Sequence, residues 1–119
     1  MSNNVIHATD IEPVHTAWGS LQWLVSGQAG SSQYMTVGRV TIKPGMCNPR
    51  HRHPNCEEVL VVVAGAIEHT LPEGGAAVLA PGDCIVVEQG IVHQAYNIGT
   101  EDAVLHVSFN AANRITEDI

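Results

Sequence analysis

The feature that most constrains the fold of this chain is a succession of short apolar segments, rich in β-branched residues and separated by glycine and proline. Each segment has the length of a β-strand, and none keeps the 3.6-residue period of a helix together with helix end signals. The pattern predicts an all-β fold. The predicted strands cover residues 17–25, 34–43, 59–63, 66–71, 76–79, 84–87, 91–96 and 103–109.

Closely spaced strands are typical of sandwiches, jelly rolls and barrels, because antiparallel strands must close or stack to cover their edges. The segment 59–63 reads Val-Leu-Val-Val-Val and is apolar on both faces of a strand. One face therefore lines a core, and we expect a second sheet or a second subunit to cover the other face. A homodimer is the favoured arrangement.

The length of 119 residues predicts one domain over residues 1–119, which can bury a core without a structural metal or disulfides. The three cysteines are odd in number and lack C-x-x-C spacing, so we interpret them as packing residues. The polar ends, residues 1–9 and 110–119, are expected to fray or to exchange with a neighbouring chain.

The charge of the chain limits its partners. Lys and Arg total 5 against 12 Asp and Glu, which gives a formal net charge of -7. This charge would repel a nucleic-acid backbone and an anionic membrane. The sequence also has no signal-peptide pattern at its start and no apolar run long enough to span a membrane. We therefore expect a cytoplasmic protein whose partner is a small molecule.

Histidines and an acidic pair are the residues best suited to chemistry. His51 and His53 are two apart, and side chains two apart on a strand leave the same face, so both imidazoles can reach one ion. Glu57 and Glu58 follow a proline that interrupts the strand, and parity alone leaves either carboxylate open as a ligand. His93 begins a later predicted strand. An ion bound to all of them would tie the two strands together.

Three imidazoles and one carboxylate form a donor set that suits one divalent transition-metal ion, namely Fe, Mn, Ni, Cu, Co or Zn. Four ligands leave up to two positions open on an octahedral ion. Substrate or dioxygen can bind at such positions. The pattern therefore predicts a functional metal site.

The same residues belong to two motifs that resemble those of the cupin superfamily. The first motif, G-x5-H-x-H-x3-4-E-x6-G, is matched by Gly45, His51, His53, Glu58 and Gly65. The second motif, G-x5-P-x-G-x2-H-x3-N, is matched by Gly82, Gly90, His93 and Asn97, with Glu88 in place of the proline. The resemblance spans residues 45–97, and its spacing favours Glu58 over Glu57 as the fourth ligand. Glu88 is interpreted as a surface carboxylate in a looser turn.

The resemblance implies a double-stranded β-helix, or jelly-roll barrel, with a metal at its centre held by His51, His53, Glu58 and His93. Cupins include dioxygenases, isomerases, lyases and decarboxylases as well as binding and storage proteins. We therefore expect a metal-dependent enzyme that acts on a small oxygenated organic substrate, with a dioxygenase favoured over an isomerase or lyase. The alternative is a non-catalytic cupin that binds or senses a small ligand.

Three further residues are candidates for catalysis if their strands turn them inward. His69 and His106 can serve as a second base beside the metal, and Arg39 can clamp a substrate carboxylate. An arginine in a strand more often reaches to solvent. For the second ring nitrogen of each metal-binding histidine, Gln94 or backbone carbonyls are the expected partners. The aromatic residues are interpreted as core or interface packing before ligand stacking: Trp18, Trp23, Tyr34, Tyr96 and Phe109.

Overall fold

The structure is a computed structural model that describes residues 4–119, and its regular elements are strands apart from one short 3₁₀ turn at Ala8–Asp10. Within this range no helix is long and apolar enough to cross a bilayer. The predicted all-β class is confirmed. In chain order the strands are β1 (Val14–His15), β2 (Gly19–Val25), β3 (Thr36–Ile42), β4 (His51–Arg52), β5 (Glu58–Ala64), β6 (Ile67–Thr70), β7 (Ala76–Leu79), β8 (Cys84–Val87), β9 (Ala95–Asn97), β10 (Ala103–Phe109) and β11 (Glu117–Asp118).

Two antiparallel sheets enclose the core in a jelly-roll arrangement. The larger sheet has six strands in the order β1-β2-β3-β10-β5-β8, and the smaller has three in the order β7-β6-β9. Strands β4 and β11 form a separate two-stranded ribbon. The buried core joins side chains of the larger sheet, such as Ile42, Leu60 and Leu105, to side chains of the smaller sheet, Ile67 and Ala95.

Strand β10 lies at the centre of the larger sheet and shows how alternation builds the core. Its residues are buried at every second position. Leu105 is in register with Val40 of β3 on one side and with Val62 of β5 on the other, and all three side chains are buried. Because alternate side chains of a strand leave opposite faces, the residues between these positions lie on the outer face of the sheet.

The outer face of the larger sheet is partly apolar. In β5 the alternation buries Leu60 and Val62 and turns the intervening valines outward, so that Val63 is 45% exposed. Val86 in the neighbouring strand β8 is 57% exposed. One face of the segment 59–63 therefore lines the core, whereas its other face is partly exposed among the residues that the structure describes. A second subunit on this face stays a prediction.

Most strand positions agree with the sequence-based expectation, but one predicted strand is displaced. The bounds agree at residues 76–79, 84–87 and 103–109. The predicted strand 91–96 is wrong over its first half, because β9 begins only at Ala95. A turn at Gly90 comes first, and His93 then pairs with His51 through an isolated bridge.

The C-terminal segment, residues 110–119, is ordered against its own chain, so the predicted fraying is wrong. Within it β11 pairs with β4, and the Ile119 N–H donates to the Arg50 carbonyl at 2.9 Å. An ion pair of 2.7 Å joins Arg52 to Glu117. Polar groups of this segment therefore form contacts with other parts of the same chain. Of the N-terminal residues predicted to fray, residues 1–3 lie outside the described range.

Gly65, the last residue of the first motif, allows a close approach between strands β5 and β10. Its φ is +79°, a left-handed conformation that side chains other than glycine rarely adopt. A Cβ atom at this position would lie 2.9 Å from the Cα of Ala103 and 2.9 Å from the carbonyl oxygen of Asp102. The motif therefore requires glycine here for the turn out of the strand that begins with Glu58.

Candidate metal centre

The four predicted ligands come from separate stretches of chain that meet at one point. His51 lies in β4, His53 follows it directly, Glu58 begins β5, and His93 precedes β9. The His51 N–H donates to the His93 carbonyl at 3.1 Å, and the His93 N–H donates back to the His51 carbonyl at 2.8 Å. These two backbone hydrogen bonds hold the two histidine-bearing segments side by side.

One donor atom from each of the four side chains lies within 4.8 Å of the others. Nε2 of His93 is 3.0 Å from Oε1 of Glu58, and Nε2 of His53 is 3.3 Å from the same oxygen. His51 completes the cluster, with its ring centroid 4.9 Å from that of His53. The prediction that His51 and His53 leave the same face and reach one ion is therefore consistent with the geometry. Glu57 is exposed, whereas Glu58 is buried.

Each histidine of the cluster is oriented by a backbone carbonyl that contacts its Nδ1. A carbonyl oxygen can only accept a hydrogen bond, so Nδ1 donates, and Nε2 of the neutral ring keeps its lone pair toward the cluster. The carbonyls therefore fill the orienting role for which Gln94 was also a candidate; the Gln94 amide donates to the Asn48 carbonyl at 2.7 Å. The three orienting contacts are His51 to Pro49 at 2.7 Å, His53 to Ile115 at 3.0 Å and His93 to Ile91 at 2.9 Å.

The arrangement fits a metal ion. Nε2 of His53 is buried and has no hydrogen-bond partner among the described residues, although it lies close to the Glu58 carboxylate. A buried nitrogen left in this state costs about 1–3 kcal/mol. Coordination to an ion removes that cost, and three nitrogen donors with one carboxylate oxygen suit the divalent metals of the first transition row. His51, His53, Glu58 and His93 would together hold one such ion.

Burial and neighbouring charges set the protonation states of the cluster. Burial acts to raise the pKa of Glu58, but its contacts with His53 and His93 outweigh this effect and lower the pKa to about 2. Burial and the nearby His93 lower the pKa of His51 to about 4. For His93 burial acts to lower the pKa, yet the hydrogen bond to Glu58 raises it above its ordinary value. At neutral pH Glu58 is therefore a carboxylate and His51 is neutral, as metal ligands must be.

Because the pKa of His93 is raised above its ordinary value of 6.5, we predict that metal affinity falls as the pH is lowered and His93 gains a proton. This proton must leave before Nε2 can bind an ion, whereas His51, with a pKa of about 4, stays neutral until a lower pH is reached. Calorimetric titration of the metal-free protein with a divalent metal, in buffers of different ionisation enthalpy, measures both the affinity and the protons released. An affinity that is the same above and below pH 6.5 would contradict the assignment of His93 as a ligand.

A cavity of about 320 Å³ opens beside the cluster. Its walls include three of the four candidate ligands, His51, His53 and Glu58. Trp18, Trp23 and Phe109 also line it. Phe109 belongs to the buried core and the two tryptophans pack against that core, so the interpretation of these residues as core packing is confirmed, and the same residues also border the cavity. Tyr34 and Tyr96 do not line this cavity and are 75% and 41% exposed.

Arg114 is a charged residue of the cavity wall that sequence analysis does not single out. Its guanidinium Cζ lies 3.8 Å from the centroid of the Trp23 ring and 5.3 Å from that of Phe109, and its Nη1 donates to the Thr116 hydroxyl. Burial lowers the pKa of Arg114, and the Glu58 carboxylate partly offsets this effect. In sequence it is a lone arginine in a polar tail, which looks the same as an arginine in solvent.

Arg39 and His106, two of the predicted catalytic residues, lie away from the cavity. They are neighbours on the outer face of the larger sheet, where the Arg39 Nε–H donates to Nε2 of His106 at 3.3 Å. The inward positions next to them in sequence belong to Val40 and Val107, which line the cavity. The condition for their catalytic roles, that their strands turn them inward, is not met.

His69 does point inward, but it packs behind a candidate ligand. Its side chain is 1% exposed, and its ring stacks on that of His93 with the centroids 5.7 Å apart. Nδ1 donates to the Thr70 carbonyl at 2.8 Å, and Nε2 is buried without a hydrogen-bond partner among the described residues. Burial lowers the pKa of His69, which favours its neutral form. This position supports the ring of His93, and a catalytic role for His69 stays a prediction.

Comparison with known sequences shows relatives over about two thirds of the chain. Germin-like protein 3-8 of Oryza sativa subsp. japonica is 37% identical over 81 residues, which cover 65% of this chain and 36% of that protein. Oxalate oxidase 1 of Hordeum vulgare is 33% identical over 86 residues, covering 66% of this chain and 43% of that protein. The matched region therefore covers less than half the length of each of these two relatives.

Comparison with solved structures shows the same fold. The oxalate decarboxylase of Lactobacillus farciminis, in a formate complex, matches with a TM-score of 0.86 at 22% identity, covering 95% of this chain and 35% of that one. The Bacillus subtilis oxalate decarboxylase at pH 4.6 gives a TM-score of 0.83 at 23% identity, covering 94% of this chain and 30% of that one. At such low identity the likeness concerns the fold alone.

The family match covers more than half of the chain and contains the whole candidate centre. Residues 38–109 match the family described as the Cupin domain, and the four candidate ligands all fall inside this range. The two facing antiparallel sheets agree with this match. The chain belongs to the cupin family.

Proposed function

We propose that this cupin is a metal-dependent enzyme that acts on a small oxygenated organic molecule bound in the cavity. The observation that carries the proposal is that His51, His53 and Glu58 line the cavity with side chains that also belong to the donor cluster. An ion held by them is open to a molecule on that side. When bound, such an ion supplies a Lewis acid for a carbonyl or carboxylate oxygen.

The chain's own residues orient the donors and enclose the bound molecule. The backbone carbonyls at Nδ1 keep the imidazoles in one direction and increase their basicity toward an ion. The apolar walls formed by Trp18, Trp23 and Phe109 limit contact with water on the side of the cluster that faces the cavity. Electrostatic contacts are stronger in such a water-poor environment than in bulk solvent.

An organic acid is the substrate class that we favour, and manganese is the metal to test first among the divalent ions suited to this donor set. The names of similar proteins include an oxalate oxidase and oxalate decarboxylases, and one similar structure concerns the Mn(II) centres of the Bacillus subtilis oxalate decarboxylase. These names favour oxidation or decarboxylation of an acid over the dioxygenase chemistry expected from the sequence.

Metal analysis followed by a substrate screen tests the proposed function. Protein purified without added ions is expected to contain, or to take up, about one equivalent of a divalent transition metal. The metal-loaded protein is then incubated with 2-hydroxy and 2-oxo acids while acid loss, oxygen uptake and carbon dioxide release are recorded. Oxygen uptake identifies an oxidase or oxygenase, and carbon dioxide release without oxygen uptake identifies a decarboxylase.

Two results would contradict the proposal. Binding of less than about a tenth of an equivalent of any transition metal after reconstitution would exclude a resident ion. Stable binding of metal without loss of any acid tested would contradict the enzymatic role, and it would favour the non-catalytic alternative in which the cavity binds or senses a ligand.

A further inference from the structure

Arg114 is half-buried and carries a positive charge with no carboxylate partner among residues 4–119. The ion pairs of this part of the chain join Arg52 to Glu117 and the two buried histidines of the cluster to Glu58, and none of them includes Arg114. The Arg114 Nε–H is buried without a hydrogen-bond partner among the described residues. A guanidinium is always protonated, and burying it unpaired is costly. Its position in the cavity wall therefore calls for an anion.

The position of the guanidinium is suited to a carboxylate. Its Cζ lies over the Trp23 ring, 3.8 Å from the ring centroid. A guanidinium placed over an aromatic ring still has N–H donors available for other partners. One of them donates to the Thr116 hydroxyl, which fixes the edge in the cavity wall. The remaining donors have the fork geometry that binds both oxygens of a carboxylate.

The charge of the cavity contrasts with that of the chain. The chain has a formal net charge of -7, yet the cavity wall combines the Arg114 cation with a donor cluster that suits a divalent ion. Its acidic wall residues are Glu58, which is a ligand candidate, and Asp118, which is exposed. With an ion in place, the buried part of the cavity is positive overall. An anionic ligand is therefore attracted to this point of an otherwise acidic surface.

The rest of the cavity is suited to an apolar group. Beyond Arg114 and the metal donors, its walls are dominated by Trp18, Leu21, Trp23, Val40, Val107 and Phe109. The volume of about 320 Å³ is roughly ten times the share of one water molecule in the liquid. Oxalate consists of two carboxylates joined by a single bond and has no apolar part to fill these walls. A larger acid with a ring or a branched chain would cover them.

We propose that the ligand of this site is a monocarboxylate with an apolar, ring-sized body, and that Arg114 binds its carboxylate. The inference rests on the proposed function, which places the reacting part of the acid beside the ion. The Phe109 ring contacts both ends of the site, because its centroid is 4.9 Å from that of His53 and 5.3 Å from Cζ of Arg114. One molecule of this size can therefore reach Arg114 and the donor cluster together.

Binding of mandelate to the full chain tests the proposal, because mandelate joins a phenyl ring to a 2-hydroxy acid. Both tryptophans of the chain line the cavity, so quenching of their fluorescence reports occupancy. We expect mandelate to bind at least about tenfold more tightly than its neutral amide and than oxalate. The Arg114→Met variant is expected to lose this preference for the acid over the amide.

Arg39→Met is the matched control, since it removes the same charge from the outer face of the sheet, where Arg39 contacts His106. It is expected to bind mandelate like the wild type. Arg114→Lys, which keeps the charge and loses the fork, is expected to retain part of the preference. It provides a second test if the methionine variant fails to fold, as judged by circular dichroism. Equal binding of acid and amide, oxalate binding as tight as mandelate, or an unchanged preference in both Arg114 variants would overturn the proposal.

The measurements are made on metal-free and on metal-loaded protein, which separates this proposal from the proposed function. An Arg114-dependent preference for the acid in both forms supports the carboxylate site even if no acid is turned over. Metal uptake and turnover without any dependence of binding on Arg114 would support the proposed function and overturn the role given to this arginine.

Discussion

Replacing Glu58 with glutamine is expected to weaken transition-metal binding by at least about 100-fold, because it removes the anionic donor from a cluster of three neutral imidazoles. Removing a residue that only orients a metal ligand already lowers metal affinity about 10–100-fold, and removing a direct ligand is expected to lower it further. The substitution keeps the shape of a buried side chain that contacts His53 and His93. Metal content after dialysis and competition with a chromogenic chelator measure the affinity.

Glu57→Gln is the matched control for this experiment. Glu57 is the adjacent residue and carries the same charge, but its side chain is exposed and its backbone N–H is bound to Asn110. The control variant is expected to bind metal like the wild type. Equal losses in the two variants would point to a general effect of charge, and an unchanged affinity in the Glu58 variant would contradict the assignment of Glu58 as a ligand.

Replacing Asn97 with alanine is expected to lower the free energy of unfolding by about 3 kcal/mol, which corresponds to a fall in Tm of roughly 10–20 °C. Asn97 is buried, and its side chain forms hydrogen bonds with three backbone groups. Its Nδ2 donates to the carbonyls of Ile42 at 2.8 Å and Glu101 at 2.7 Å, and its Oδ1 accepts from the Gly99 N–H at 2.8 Å. Alanine leaves these groups without partners. Thermal unfolding of the metal-free protein measures the change.

Asn110→Ala is the control for Asn97, because it also removes an asparagine that accepts a backbone hydrogen bond, here from Glu57 at 2.9 Å, but on an exposed surface. We expect it to cost less than about 1 kcal/mol, since water can replace the lost partner. Similar losses of stability in the two variants would contradict the role given to the buried side chain. The position of asparagine in the second motif therefore has a structural reason, and it does not require contact with a ligand.

The parts of the fold that sequence analysis predicts are those set by local alternation. Strand β10 could be predicted with its correct bounds because its residues alternate in burial and its ends are marked by turn residues. Strands β4 and β11 have two residues each, which is too short for a period of two to be visible. They form only because distant segments meet, since Glu117 pairs with Arg52 and Asp118 with His51.

The candidate centre also contains residues that local sequence predicts and residues that it does not. The relation between His51 and His53 follows from the period of a strand, whereas the choice of Glu58 needed the spacing of a known motif. Arg114 could not be predicted, because its place in the cavity depends on where the C-terminal segment pairs with the distant strand β4. Nothing local separates it from an arginine in solvent. For Arg39 the strand and its period could be predicted. The face of that strand that points inward could not be assigned without knowing the neighbouring strands.

His53 contacts the carbonyl of Ile115, which lies 62 residues further along the chain. This contact would couple the binding of an ion to the docking of the C-terminal segment. An ion would bind Nε2 of the ring whose Nδ1 donates to this carbonyl, so the docked segment and the bound ion favour each other. Thermodynamic linkage requires this effect to be reciprocal. Since the same segment carries Arg114, a carboxylate that holds the segment in place would also tighten the hold on the ion. Cofactor retention in this protein would therefore depend on the supply of its ligand.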